Sequence, residues 1–187
     1  MPFILAWEAG HRVPFLAHWP GKIAPRRSRA LTSNLDLVPT LLSLTNVSLP
    51  TDRSFDGQSI APTLFDGNDT AHTFLFHPDQ NGSLTAMRYH TYKALYQTYS
   101  ANDGACGGRV TPVRDHYPPL VFDLSRDEGE GYPIEVSKEL LRVLDEAREA
   151  KLNDIHSTPR STPDYRQGTL DDRPCCDAAH IVCRCDQ

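Results

Sequence analysis

The sequence predicts an α/β protein in which a small antiparallel sheet is packed on a C-terminal helix. Three stretches carry this prediction. Residues 73–98 alternate between apolar and polar side chains and are rich in tyrosine, as half-buried antiparallel strands are. Residues 133–155 repeat apolar side chains every three to four positions, which indicates a helix. Residues 13–19 are apolar except for His18, which is typical of a strand covered on both faces.

Composition limits the classes of partner. The 187 residues hold 19 Lys and Arg against 24 Asp and Glu, a net charge of -5, so no nucleic-acid partner is expected. The basic cluster at 25–29 is interpreted as a solvated loop. No apolar run reaches the roughly 18 residues of a membrane helix, so no membrane partner is expected. The first seven residues lack a basic region, so no signal peptide is expected within this chain.

The opening segment combines charge with a bend. Glu8 and Arg12 flank Gly10, whose freedom to take positive φ would let the chain turn and the two charges meet. We expect these three residues to be structural, as a hinge into the strand at 13–19. The turn at Pro20 and Gly21 then ends that strand.

A helix is predicted to start at Asp36, with Pro39 tolerated in its first turn. Asp36 could be a metal ligand or a helix cap, and the cap is favoured. The remaining elements are predicted in order as a helical turn at 62–65, strands at 73–77, 84–90, 92–98 and 120–124, and a helix that begins at Pro133.

A search for catalytic motifs finds none. No Gly-x-Ser-x-Gly elbow, His-Glu-x-x-His pair, P-loop or dinucleotide fingerprint occurs. The eight histidines are scattered and are mostly interpreted as packing or surface residues. His116 is kept as a candidate for lining a pocket, because it is expected in a loop that leads into a strand. No residue is assigned a catalytic or metal-binding role.

Cysteines and glycosylation sequons indicate an oxidising compartment. Sequons occur at Asn46, Asn68 and Asn81, each near turn residues. Two tail disulfides are favoured over a zinc site, whose Cys-x-x-Cys spacing is missing. Bonding between adjacent cysteines is sterically poor, so either tail pairing between the two groups remains open. The fifth cysteine is expected to lack a partner in this chain. The tail cysteines are Cys175, Cys176, Cys183 and Cys185, and the unpaired one is Cys106.

Ordered motifs along the chain resemble the latter half of the sulfatases, in particular arylsulfatases of the A/G type and nearest to the G type. The matching segments, in order, are 8–14, 19–21, 35–40, 55–57, 75–78, 92–94, 105–106, 120–130 and the cysteines of the tail. The family motif Glu-Gly-Gly is here Glu8-Ala9-Gly10. The resemblance implies the C-terminal portion of the sulfatase, or alkaline-phosphatase-like, fold. It also implies the pairings Cys175–Cys183 and Cys176–Cys185.

The resemblance implies three regions. Residues 1–70 would be the C-terminal remnant of the large sulfatase α/β domain. Residues 71–156 would be the antiparallel sheet and helix, and 157–187 a tether with a disulfide-pinned tail. Full-length sulfatases depend on calcium and on a formylglycine made from a Cys-x-Pro-Ser-Arg motif. That motif, the calcium ligands and the sulfate-contacting lysine are not matched in this chain, so no cofactor is expected in it.

The function expected from this resemblance is that of a fragment of a lysosomal arylsulfatase-type sulfuric ester hydrolase, inactive alone. A sulfated glycan or aryl sulfate would be its substrate only together with the N-terminal part. The expected location is the lysosome or the secretory pathway, with the signal peptide missing from this chain. The alternative is a non-enzymatic, secreted, disulfide-stapled binding module, and a zinc-binding module is a third hypothesis.

Overall fold

The computed structural model describes residues 6–79, 81–99 and 113–158. The chain divides into Met1–Ile155 and His156–Gln187, and the description below concerns the first of these units. Its elements, in chain order, are α1 (Glu8–His11), a 3-10 turn (Asn34–Asp36), α2 (Leu37–Leu44), α3 (Ala61–Phe65), β1 (Phe74–Pro78), β2 (Leu84–Tyr89), β3 (Tyr92–Tyr99), β4 (Val113–Asp123) and α4 (Lys138–Ser157).

The four strands form one antiparallel sheet in the order β1-β2-β3-β4. The turn between β1 and β2 is fixed by Asp79, whose carboxylate accepts the backbone N–H groups of Asn81 and Ser83 at 2.8 Å each. Gly82 takes a φ of 84° there, a conformation that suits glycine. The predicted sheet and its first hairpin are therefore confirmed.

Each face of the sheet carries its own core. Helix α4 packs on one face through Leu144, which is fully buried beside Met87 and Val121. The other face buries Leu95 and Phe122 against the segment that leads into α1. On that side the ring of Trp7 meets Phe122 edge-on, with centroids 5.8 Å apart. The sheet is thus the middle layer, between α4 and the N-terminal segment.

Two predicted element starts are wrong. Strand β4 begins at Val113, seven residues before the expected Leu120. The two prolines at 118 and 119 argued against a strand at these positions. Proline is tolerated there because β4 is an edge strand of the described sheet. Helix α4 begins at Lys138 instead of Pro133. Ser137 caps it by accepting the N–H of Leu140 at 3.1 Å.

The strand predicted at 13–19 is also wrong for this structure. These residues form no helix or strand and pair with no strand in the described ranges, and their large apolar side chains are exposed, Leu16 at 89%. Helix α2 forms as predicted, yet only Pro39 and Thr40 are buried in it. Its large apolar side chains face outward, namely Leu37, Val38, Leu41 and Leu44. Both segments are therefore apolar in sequence, yet their large apolar side chains are exposed to solvent.

Candidate functional site

A buried lysine joins three separate parts of the chain. Lys93, on β3, has no exposed surface. Its ammonium lies 2.9 Å from a carboxylate oxygen of Glu8, in α1, and 2.9 Å from one of Glu130, in the loop after β4. The backbone N–H of Glu8 also donates to Glu130 at 2.6 Å. We call Glu8, Arg88, Lys93 and Glu130 the charge cluster.

The charges of this cluster balance. Arg88, on β2, adds a second cation 3.3 Å from Glu8, so two carboxylates face two cations. Burial opposes the ionisation of Glu8, but Lys93 and then Arg88 outweigh it and hold the pKa of Glu8 below its usual value. A buried pair of this kind is costly to break, because the partner left behind is an uncompensated charge. The cluster therefore fixes α1 to the sheet.

Two expectations about the opening segment need correction. Arg12 does not meet Glu8 but pairs with Glu128 at 3.0 Å, with both side chains exposed. Gly10 lies inside the turn of α1, where its N–H donates to the carbonyl of Trp7, and it does not adopt positive φ. The partners of Glu8 lie about 80 or more residues away along the chain, so it joins distant segments.

Asp36 organises a second buried cluster. Its carboxylate accepts the N–H groups of Ser33 at 2.7 Å and Gln58 at 2.9 Å, and contacts Nε2 of His72 at 2.7 Å. The predicted cap needs correction: Asp36 lies at the N-cap position of α2 but makes no side-chain cap hydrogen bond there, and it instead completes a capping box with Ser33 at the 3-10 turn. Gly57 packs so closely that an added Cβ would lie 2.0 Å from the carbonyl oxygen of Leu35. Only glycine fits there.

A cleft of about 740 Å³ lies between α1, β1 and the end of α4. At its wall the rings of His11 and His77 are 4.4 Å apart between centroids. Burial, followed by the charges of His11 and Lys93, lowers the pKa of His77 to about 4. His77 is therefore neutral at mildly acidic pH.

Polar atoms at this wall lack partners. Nε2 of His77 and Nε of Arg88 are both buried without a hydrogen-bond partner among the described residues. His77 and Arg88 lie on neighbouring strands, where Leu75 pairs with Arg88 and His77 with Ala86, so the two side chains share one face. Buried donors and acceptors are normally satisfied by protein, water or ligand. These two nitrogens are therefore open to a water molecule or a ligand.

The remaining site predictions have different outcomes. His116 lies within β4, not in a loop, and its Nε2 contacts Oγ1 of Thr98 at 2.8 Å. It does not line the large cleft. The three sequon asparagines, Asn46, Asn68 and Asn81, are exposed. The cysteine predictions lie outside the described residues, and these are Cys106, Cys175, Cys176, Cys183 and Cys185.

The described residues do not fit a metal. They contain no group of three or more His, Cys, Asp or Glu side chains that could hold an ion. The oxygens of Asp36, the one metal candidate considered from sequence, are engaged by two backbone donors and His72. Within the same ranges, none of the helices combines the length and apolar character needed to cross a membrane.

Sequence reasoning missed the residues at the centre of the charge cluster. Lys93 and Glu130 were seen only as parts of matching motifs, and Arg88 and His77 were not singled out. One signal was present for Lys93. Lys93 lies two residues before Leu95 on β3, so both side chains lie on the same face of the sheet, and that face is apolar. A lysine at such a position needs buried carboxylates, but the sequence does not say which ones.

Comparison with known proteins assigns the motifs to one family. A family model described as the C-terminal region of aryl-sulfatase matches residues 70–185, and the Sulfatase model matches residues 1–47. Arylsulfatase G of Rattus norvegicus is 40% identical over 189 residues, and that of Canis lupus familiaris 41% over 190, each covering 96% of this chain. Arylsulfatase A of Bos taurus is 39% identical over 153 residues, 74% of this chain and 30% of its own length.

Solved structures agree. A protein of Bacteroides thetaiotaomicron, described with the metabolism of multiple glycosaminoglycans, has a TM-score of 0.59 at 28% identity, covering 78% of this chain and 30% of its own. The PsFucS1 sulfatase from Pseudoalteromonas sp. shares the fold, with a TM-score of 0.58 at 20% identity over 71% of this chain and 28% of its own. This chain spans 35% of the length of the arylsulfatase G relatives. The chain belongs to the sulfatase family, and its fold is that of a C-terminal sulfatase portion.

Proposed function

We propose that this chain works as the C-terminal portion of an arylsulfatase-type sulfuric ester hydrolase and does not hydrolyse sulfate esters alone. Family membership supports the reaction class. The relatives are about three times as long, since the chain spans 35% of their length. The substrate, a sulfated glycan or an aryl sulfate, would be bound and cleaved by the joined protein.

The exposed apolar surface carries this proposal. It is made by residues 13–19 and the outward face of α2. Both segments fall within residues 1–47, which match the Sulfatase model, and not within the C-terminal region that follows. Large apolar side chains exposed in such number indicate an interaction site. We infer that it packs on the larger α/β portion of a sulfatase.

Calcium and formylglycine are expected in the joined protein, and we assign both to the larger portion. The described residues offer no metal cluster and do not fit calcium. The role we assign to this chain is structural. It holds in place the α1 segment, which would follow the sulfate-contacting lysine of the larger portion. The charge cluster does this by binding α1 to β2, β3 and the loop after β4.

The secreted, disulfide-stapled module remains the alternative. It would leave the apolar side chains at 13–19 and on α2 uncovered, and that argues against it. We also propose a lysosomal or secretory location, supported by the exposure of Asn46, Asn68 and Asn81. Expression in a secretory host followed by amidase removal of N-glycans should lower the apparent mass, and an unchanged mass would contradict glycosylation.

The test joins this chain to the missing portion. The C-terminal region of rat arylsulfatase G is replaced by this chain, and the joined protein is produced in cells that make formylglycine. We expect the joined protein to hydrolyse an aryl sulfate and this chain alone to be inactive. Lys93→Met should abolish the activity, whereas Lys22→Met, at an exposed position, should preserve it. Hydrolysis by the chain alone, or a folded but inactive joined protein, would contradict the proposal.

A further inference from the structure

We propose that an N-glycan on Asn68 shields the arginine-rich loop at 25–29 from proteases that cleave after arginine. Attachment of the glycan rests on the secretory location proposed above. The shielding rests on the packing of two loops that are distant in sequence, since Ser28 and Asp69 are 41 residues apart yet in contact. Neither the loop at 25–29 nor the sequon at 68–70 lines the large cleft.

The arginine-rich loop is accessible to proteases. Residues 24–29 form no helix or strand, and all of them are exposed. Arg27 and Arg29 make no side-chain hydrogen bond or ion pair within the described ranges. Exposed loops are where proteolytic nicking concentrates, and an arginine side chain fits the acidic specificity pocket of trypsin-like enzymes. Cleavage would add water across the peptide bond after Arg27 or Arg29, leaving a new carboxylate and a new ammonium group between α1 and α2.

The sequon packs directly on this loop. Asp69, the middle residue of the sequon, accepts a hydrogen bond from Oγ of Ser28 at 2.6 Å and pairs with Arg26 at 3.7 Å. The guanidinium of Arg26 also donates to the carbonyl of Thr63. It lies so near Gly67 that a Cβ added there would be 3.4 Å from Nη1. A group attached to the sequon would therefore lie beside the arginine-rich loop.

The side-chain amide of Asn68 is oriented to carry a glycan. Its Oδ1 accepts the backbone N–H of Thr70 at 2.9 Å and the hydroxyl of Thr70 at 2.6 Å. Nδ2, the glycan-bearing atom, makes no hydrogen bond within the described ranges, and Asn68 is exposed. The other two sequons are placed differently. Asn46 follows α2, whose outward face we propose to be covered, and Nδ2 of Asn81 contacts Asp79 at 3.5 Å.

A glycan here would exclude a protease by its bulk. An N-glycan is a large, hydrated group on the protein surface. A protease must take several residues on each side of the cleaved bond into its own cleft, and the oligosaccharide beside Ser28 would occupy that space. The contacts of Asp69 also hold the loop, but an ion pair as exposed as the one with Arg26 adds little. The glycan is therefore the main barrier to cleavage.

The test follows proteolysis of the 187-residue chain, made in a secretory host behind a cleavable signal peptide. Mass spectrometry of its glycopeptides measures how much of Asn68 carries a glycan. Half of the protein is then treated with the amidase that removes N-glycans, and both halves are digested briefly with trypsin under native conditions. Cuts after Arg27 and Arg29 are quantified by mass spectrometry. We expect removal of the glycans to speed these two cuts at least about tenfold.

Two matched variants assign the protection to one glycan. Asn68→Gln should be cut as fast as the deglycosylated chain, whereas Asn81→Gln, which removes the sequon between β1 and β2, should stay as resistant as the unmodified chain. Near-ultraviolet circular dichroism checks that each variant is folded.

The inference is overturned if Asn68 carries no glycan while another sequon does, or if deglycosylation leaves the two cuts equally slow. A chain without any glycan would overturn it together with the proposed secretory location. Because no hydrolysis of a sulfate ester is measured, none of these results affects the joined-protein test.

Discussion

Lys93 shows how one residue can tie distant parts of this sulfatase portion together. Its ammonium is inaccessible to solvent and is held 2.9 Å from both Glu8 and Glu130. The position of Asp36 at the start of a helix could be predicted from sequence, because helix-start signals are local, whereas its capping box with Ser33 at the preceding 3-10 turn was not predicted. The partners of Glu8 could not be predicted, because they lie on β2, β3 and a loop, and only the tertiary fold brings them near. The spacing in the sequence instead predicted Arg12 as the partner of Glu8.

Loss of Lys93 should be strongly destabilising. Lys93→Met leaves Glu8 and Glu130 buried with only Arg88 to balance them, and we expect the free energy of unfolding to fall by about 3–5 kcal/mol. Urea denaturation followed by circular dichroism measures this change. Lys22→Met, on an exposed lysine, is the matched control and should change stability by less than about 0.5 kcal/mol. Equal stability of the two variants would mean that the charge cluster does not stabilise the fold.

His77 should make the chain less stable at acidic pH. Its pKa is about 4 in the folded chain, chiefly through burial, against an ordinary value of 6.5. Between these values the unfolded chain takes up a proton that the folded chain does not, so the free energy of unfolding falls as pH drops from about 6.5 towards about 4. His77→Gln should flatten the curve of Tm against pH in this window, while His18→Gln should not. An unchanged slope in His77→Gln would refute the assignment.

At the scale of elements, periodicity predicted the sheet and the long helix but not where β4 and α4 begin. The alternation of 73–98 and the spacing of Leu140, Leu144 and Ala147 are strong signals, and the structure confirms both elements. Local features of the sequence explain why the predicted starts of β4 and α4 differ from the observed ones. Two prolines within β4 argued against a strand at its start. The sequence predicts helix before Ser137, but Ile134 pairs with Val121 of β4.

Substitution by alanine should have very different effects on stability at two leucines on different helices. Leu144, fully buried under the sheet, should lose about 2–5 kcal/mol of unfolding free energy on substitution by alanine. Leu41, 62% exposed on α2, should lose almost nothing in this chain. In the joined protein, Leu41→Ala should also become destabilising, because its side chain would then be covered. Urea denaturation of both variants, alone and joined, checks this, and a Leu41→Ala variant that costs nothing when joined would contradict the docking surface.

At the scale of the molecule, we propose that the N-terminal segment belongs to a larger sheet in the joined protein. Residues 13–19 have the apolar pattern of a strand covered on both faces, yet they pair with no strand in the described part of the chain. We propose that this pattern reflects the environment these residues would have in a complete sulfatase. The predicted boundaries of the three regions, at 70 and 156, stay predictions, as do the disulfides of the tail.

Hydrogen–deuterium exchange of the backbone amides at 13–19 tests this account most directly. In the chain alone, these amides should exchange rapidly, because no strand in the described ranges protects them. In the protein joined to the larger portion of rat arylsulfatase G, the account predicts exchange slowed by at least about a hundredfold, as in a paired strand. The amides of β3 should be protected in both proteins and serve as the internal control. Equally rapid exchange at 13–19 in the joined, folded protein would contradict the claim that this chain completes a sulfatase.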